Sequence, residues 1–169
     1  MVLPGAHADR LASQRRCLLQ LEHEIGVIET QLDRMLRSHP GYRALLKVQG
    51  LRPVLAGIFV AEIGDISQFP TASSLACWAG LTTRLHASDL TVRHGHVSKE
   101  GCALVRWAAV EAVQRKCKLC VREVRDALLV RRGRGARNVA KVAAARWMLD
   151  LVYYTLRDGQ ARALIPAAA

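Results

Sequence analysis

Two serines (Ser88, Ser98), three histidines (His86, His94, His96) and four cations (Arg84, Arg93, Lys99, Arg106) fall between residues 84 and 106. Hydroxyls and imidazoles among cations are side chains that could hold a phosphate and act on it. A serine hydroxyl becomes a useful nucleophile when a base or a metal activates it. Attack on phosphorus also needs cations to hold the charge that develops there. Arg84, Arg93, His86 and His94 could supply that hold. Taken singly, a serine in a polar segment is far more often a hydrogen-bonding turn residue. His94-Gly-His96 is a sparse metal pattern, better suited to phosphate contact or simple loop polarity. Cys117 and Cys120 form one pair with no second pair nearby, which is not a zinc pattern. No glycine-rich phosphate loop occurs. The carboxylates are scattered singly rather than paired for two metals.

The charge points the same way. The chain has 169 residues and a formal charge of +11, with a pI near 10.2. Between Arg84 and Arg146 stand fifteen Lys and Arg against five Asp and Glu, so that stretch holds +10 of the total. Such self-repulsion calls for an anionic partner, nucleic acid first and an acidic membrane surface second. No long uncharged apolar run is present: Val139 to Leu156 is broken by Lys141, Arg146 and Asp150, so no membrane span is expected. Five cysteines, an odd number, and no secretory signal imply reduced thiols in the cytoplasm.

Hydrophobic residues make up 51% but aromatics only 5%. Ala, Leu and Val carry the apolar share, which predicts packed helices and an all-α fold. Leu11, Leu18, Leu21, Ile25, Ile28, Leu32 and Met35 recur in steps of three and four. That is the seam of a coiled coil, or the face of an amphipathic helix packed on its own domain. His39-Pro40-Gly41 should end it, giving a coiled-coil-like segment over 1–40 and a helical domain over 41–169. Residues 42–64 read helix, turn, helix, with Gly50 at the turn and Pro53 opening the second helix. The pattern resembles a helix-hairpin-helix, with Arg52 where the hairpin's second glycine usually stands; a hairpin used only for packing is the other reading. Thr71 and Gly80 should bracket a short helix. A polar serine loop is expected over 82–98 and basic helices over 99–158. Ser98 should cap the first of these, and Asn138 the last, which Gly159 stops. Arg131, Arg132, Arg134 and Arg137, interrupted by glycines, read as a flexible cationic strap.

Several stretches together resemble one family. They are Ala61-Glu-Ile-Gly-Asp-Ile-Ser-Gln-Phe-Pro70, Leu75-Ala-Cys-Trp-Ala-Gly-Leu81, Arg84-Leu-His-Ala-Ser88, Arg93-His-Gly-His-Val-Ser-Lys-Glu-Gly101, Leu104-Val-Arg-Trp107 and Lys141-Val-Ala-Ala-Ala-Arg146. Their order and spacing resemble the C-terminal transposase domain of the IS110/IS116/IS902 insertion-sequence family, relatives of the Piv-type site-specific invertases. The likeness covers roughly 42–158. It implies a serine nucleophile, Ser88 as first choice and Ser98 as second. It implies nucleic-acid contacts from Arg52, Arg84, Arg93, His94, His96, Lys99, Arg106, Arg131, Arg132, Arg134, Arg137 and Lys141. It implies DNA and a non-coding guide RNA as partners, and magnesium held by a carboxylate set in an N-terminal RuvC-like half that this stretch does not contain. No cofactor is expected on the chain itself. The expectation is therefore the C-terminal portion of a DNA transposase or recombinase, oligomeric through its N-terminal helix, in the bacterial cytoplasm at the nucleoid. By itself it should bind nucleic acid without cutting it. The alternative is an inactive truncated remnant that only binds nucleic acid or dimerises.

Overall fold

The computed structural model describes residues 5–88, 91–114, 117 and 119–161, and the side chains of all of these except 5, 6, 85–88, 91–94 and 119. It divides into two compact units, Met1–Leu36 and Arg37–Ala169. The first is a single helix, α1 (Gly5–Leu36). Its seam residues Leu11, Leu18, Leu21, Ile25, Ile28 and Met35 are all exposed. Gly26 does not break it, and the Thr30 hydroxyl donates back to the Gly26 carbonyl at 2.8 Å.

The second unit is a helical bundle with one small β-ribbon. Its elements are α2 (Pro40–Leu45), α3 (Pro53–Ile63), α4 (Ala72–Trp78), β1 (Thr83–Ser88), β2 (Thr91–Val97), α5 (Ala103–Gln114), α6 (Leu119–Arg132) and α7 (Arg137–Asp158). Seven α-helices and a single two-stranded sheet among the described residues make the chain all-α, as its composition predicts. The long helix α7 is the axis, packing against α2, α4, α5 and α6. Ala140, Ala144 and Ala145 of α7, and Ala108, Ala109 and Ala112 of α5, are fully buried. Small side chains on both partners let the two backbones approach closely. Tyr42, Phe59, Ile63, Leu75, Met148 and Leu149 complete the core. Tyr153 ties α7 to the α3–α4 connection, donating its hydroxyl to the Phe69 and Pro70 carbonyls at 3.2 and 3.1 Å.

Several ends fall where local chemistry puts them. Pro53 opens α3. Gly50 turns the hairpin at φ +105°, where a Cβ would lie 3.0 Å from the Ala112 carbonyl oxygen and 3.2 Å from the Cys117 α-carbon. Thr71 caps α4 through its hydroxyl to the Ser74 N–H. α7 stops at Gly159 in the left-handed conformation.

Four expectations fail. The polar loop over 82–98 is instead the antiparallel ribbon β1–β2. Ser98 does not cap a helix: its N–H closes the ribbon on the Thr82 carbonyl at 2.9 Å, and α5 begins only at Ala103. The arginine strap is not a loop. Arg131 and Arg132 form the last turn of α6, where cations complement the helix dipole. Only Gly133 and a 3-10 turn, Arg134–Ala136, separate α6 from α7. Ala136, not Asn138, stands at the N-cap of α7. The alanine-rich tail beyond 161 lies outside the described residues.

Candidate functional site

The ribbon is positioned by a tight junction between α4 and the segment leading into α5. Gly80 closes α4 at φ +68°, and a Cβ there would lie 2.2 Å from the Glu100 carbonyl oxygen. Gly101 sits at φ +108°, and its Cβ would lie 1.9 Å from the Trp78 carbonyl oxygen. The Cys102 N–H donates to that same carbonyl at 3.2 Å. Two backbones thus meet where only glycine fits on either side. This is the physical role of Gly80 and of the glycine in Ser98-Lys-Glu-Gly101. The junction also fixes Arg106, whose guanidinium donates to the Ala79 carbonyl at 3.1 Å.

The foot of the ribbon carries an irregularity. Thr83 pairs with Val97 and Leu85 with His94, so Arg84 alone faces Gly95 and His96. A bulge of this kind bends the strand and redirects its side chains. Arg84, Gly95 and His96 all line one cleft of about 770 Å³. Its other walls are Val97 to Lys99, then Arg106 and Val110 of α5, then Asn138, Val139, Val142, Ala143 and Arg146 of α7, with Leu81 and Thr83 at the end. Among the described residues four cations and a histidine share this lining, and no carboxylate does. Lys99 is the single non-glycine residue at positive φ, +54°, among the described residues. The first turn of α7 reaches the cleft through Asn138 and Val139, and Ala136 at its N-cap offers no side-chain acceptor. The positive end of that helix adds to the field.

Nearby groups tune the cations. Arg84 pairs with Glu100, both well exposed at the rim. Arg146 donates to the Ser73 hydroxyl at 2.8 Å. One turn beyond it, burial pushes the Asp150 carboxyl above its ordinary range, and the Arg146 charge works against that rise.

Of the predicted residues, the cleft gathers Arg84, His96, Ser98, Lys99 and Arg106. Arg52 is exposed at the N-cap of α3 and does not line it. Arg131, Arg132, Arg134 and Arg137 form an exposed cationic corner between α6 and α7. Lys141 donates to the Gln114 amide oxygen at 3.2 Å, away from the cleft. Arg93 and His94 lie on β2 and Ser88 ends β1, opposite Thr91; their side chains are outside the described residues, as is Asp89 altogether. Arg146 and Asn138 were missed. The signal for Arg146 was present: Val139, Val142, Ala143 and Arg146 recur at helical spacing, a stripe ending in a cation on an alanine-rich helix. Among the described residues no three His, Cys, Asp or Glu are gathered to hold a metal ion, and no helix is long and apolar enough to cross a membrane.

Comparison with known proteins gives a consistent result. The family described as "Transposase IS116/IS110/IS902 family" matches residues 42–128. A "Probable family 20 transposase" of Pseudomonas aeruginosa is 30% identical over 118 residues, 70% of this chain and 35% of that protein. The "Insertion element IS116 uncharacterized 44.8 kDa protein" of Streptomyces clavuligerus is 27% identical over 164 residues, 94% of this chain and 40% of that protein. An IS110 protein of Streptomyces coelicolor is 26% identical over 143 residues, 84% of this chain and 35% of that protein. The chain thus spans well under half the length of these relatives.

Proposed function

The chain belongs to the IS116/IS110/IS902 transposase family, and from that premise we propose that it serves DNA transposition as the part that grips the nucleic-acid backbone. One observation carries this reading: Arg84, Lys99, Arg106 and Arg146 converge on a single cleft, and no carboxylate stands among its described lining residues. Cations so arranged neutralise phosphates and hold a strand in register. The exposed corner of Arg131, Arg132, Arg134 and Arg137 adjoins the cleft through Asn138 and extends the phosphate track. DNA is the first partner. A structured RNA, which the family resemblance implies, has the same backbone chemistry.

The nucleophile we assign is Ser88, with Ser98 second. Ser98 lines the cleft. Ser88 is at the far end of β1, five residues from Thr83, or about 16 Å along an extended strand. A phosphate seated at the ribbon's foot is therefore in reach of Ser98, while Ser88 acts on a phosphate further along the same strand. The cleft is on this account a handhold beside the reacting bond. The described acidic residues do not gather into a metal site. A carboxylate set elsewhere in the working transposase is the place of magnesium on the family resemblance. The exposed apolar seam of α1 supports self-association through that helix.

The test is a strand-nicking assay with the carboxylate-bearing half of a relative supplied in trans. Activity abolished by Ser88→Ala and retained by Ser98→Ala supports the assignment. The reverse pattern transfers the role to Ser98. No activity alongside intact nucleic-acid binding leaves the chain a binding module.

A further inference from the structure

The cleft is not lined for phosphates alone. The same lining carries an aliphatic share, called the floor below: Leu81, Val97, Val110, Val139 and Val142. A double helix turns its phosphates outward and keeps its bases stacked, so a flat cationic face is enough to hold it. Such a face has no use for an apolar recess, and aliphatic surface left open to water is unfavourable. At about 770 Å³ the space matches the clefts that enclose small ligands. It has room for one or two nucleotides. Asn138 and Ser98 share the lining, with donors and acceptors suited to the rim of a base. The lining therefore complements a polyanion that also offers an apolar face, and an unstacked nucleotide meets that description.

We propose that the cleft takes an unpaired nucleotide of a single strand. Its base lies on the valine floor and its flanking phosphates on Arg84, Lys99 and Arg146. This rests on the backbone-gripping reading above and adds a base subsite to it. Unstacking costs least where a strand is already single or distorted. The chain should accordingly prefer single strands or opened duplex to intact duplex.

The experiment is equilibrium binding of the full chain to oligonucleotides of about 12 residues, a length typical of one single-strand site. Single-stranded DNA, single-stranded RNA of the same sequence and the matching DNA duplex are compared at equal ionic strength. Each carries a central 2-aminopurine, which brightens when it leaves the stack. The expected result is single strands bound about tenfold tighter than duplex, with 2-aminopurine emission rising on binding. The DNA and RNA arms tell which polynucleotide enters. Val142→Leu, which fills the floor without changing charge or adding an aromatic face, should weaken single-strand binding several-fold and affect duplex binding less. Ala143→Leu does the same from the next position, so a folding defect in one variant, visible in its melting curve, does not decide the matter. Lys99→Gln should weaken both forms alike. Equal affinity for single and double strands, untouched by either floor variant, overturns the base subsite and leaves the phosphate grip standing. No binding of any strand at low ionic strength overturns the grip itself, and the subsite with it.

Discussion

Lys99 combines an unfavourable backbone with a useful side chain. It is held at φ +54° while lining the cleft. A left-handed conformation costs a non-glycine residue about 1 kcal/mol or somewhat more. Lys99→Gly is therefore expected to raise stability by about that amount and lower nucleic-acid affinity, read by urea denaturation and by titration. Glu100 is a competitor in the same place, since it pairs with Arg84 at the rim. The pair is exposed and contributes at most about 1 kcal/mol to folding. Glu100→Gln should tighten binding at low salt by a few-fold with little change in melting temperature. Asp150 gives a pH signature. Its folded pKa is raised by burial, against the pull of Arg146. The folded chain then holds that proton more tightly than the unfolded chain does. Its contribution is most favourable in acid and declines as pH rises from the unfolded value through the folded one. Asp150→Asn is expected to be more stable than the parent at pH 7, with the gap shrinking below about pH 4, the ordinary carboxylate range. Arg146 and Asn138 show what residue-level reading lacks. Helical spacing puts Arg146 on one face with Val139, Val142 and Ala143, but that this face meets Arg84 follows only from tertiary packing.

The elements divide by how local their causes are. Pro53 at the first position of α3, Thr71 before α4 and Gly159 after α7 act within a turn of themselves, so these boundaries are legible in the sequence. The ribbon is not, because its pairing runs between segments that are each short and polar, and two strands alone are marginal in water. Ser98 has the right residue type for a cap, yet its N–H is spent on the Thr82 carbonyl. What decides the matter is the junction of Gly80 and Gly101 against α4, a contact between distant parts of the chain. Gly101→Ala is expected to cost several kcal/mol, since positive-φ strain of about 1–3 kcal/mol adds to a Cβ placed 1.9 Å from the Trp78 carbonyl oxygen. The same change should loosen the foot of the ribbon and weaken binding. Urea denaturation and titration of one preparation check both. The strap fails for a related reason: cations at the end of α6 are stabilised by the helix dipole and by water, so the helix continues through them.

At the scale of the molecule there are two units, a helix with an exposed apolar seam and a bundle with a cationic cleft that has no carboxylate among its described lining residues. Charge made the second feature foreseeable in kind, since +10 of the +11 falls between Arg84 and Arg146. Its location was not, because the cleft draws cations from the ribbon, α5 and α7 and leaves the densest arginine run outside. For the helix, Leu18→Glu with Ile25→Glu should turn an oligomer into a monomer in sedimentation and leave the bundle's melting unchanged. For the cleft, the most direct measurement is the salt dependence of nucleic-acid affinity in the parent chain and in Arg84→Gln/Lys99→Gln/Arg146→Gln. The parent should bind at low ionic strength, with log affinity falling linearly in log salt. Each cation removed should flatten that slope by about 0.7 to 0.9. A slope unchanged in the triple variant, or a parent that ignores nucleic acid at low ionic strength, would contradict the claim that this cleft holds a phosphodiester backbone.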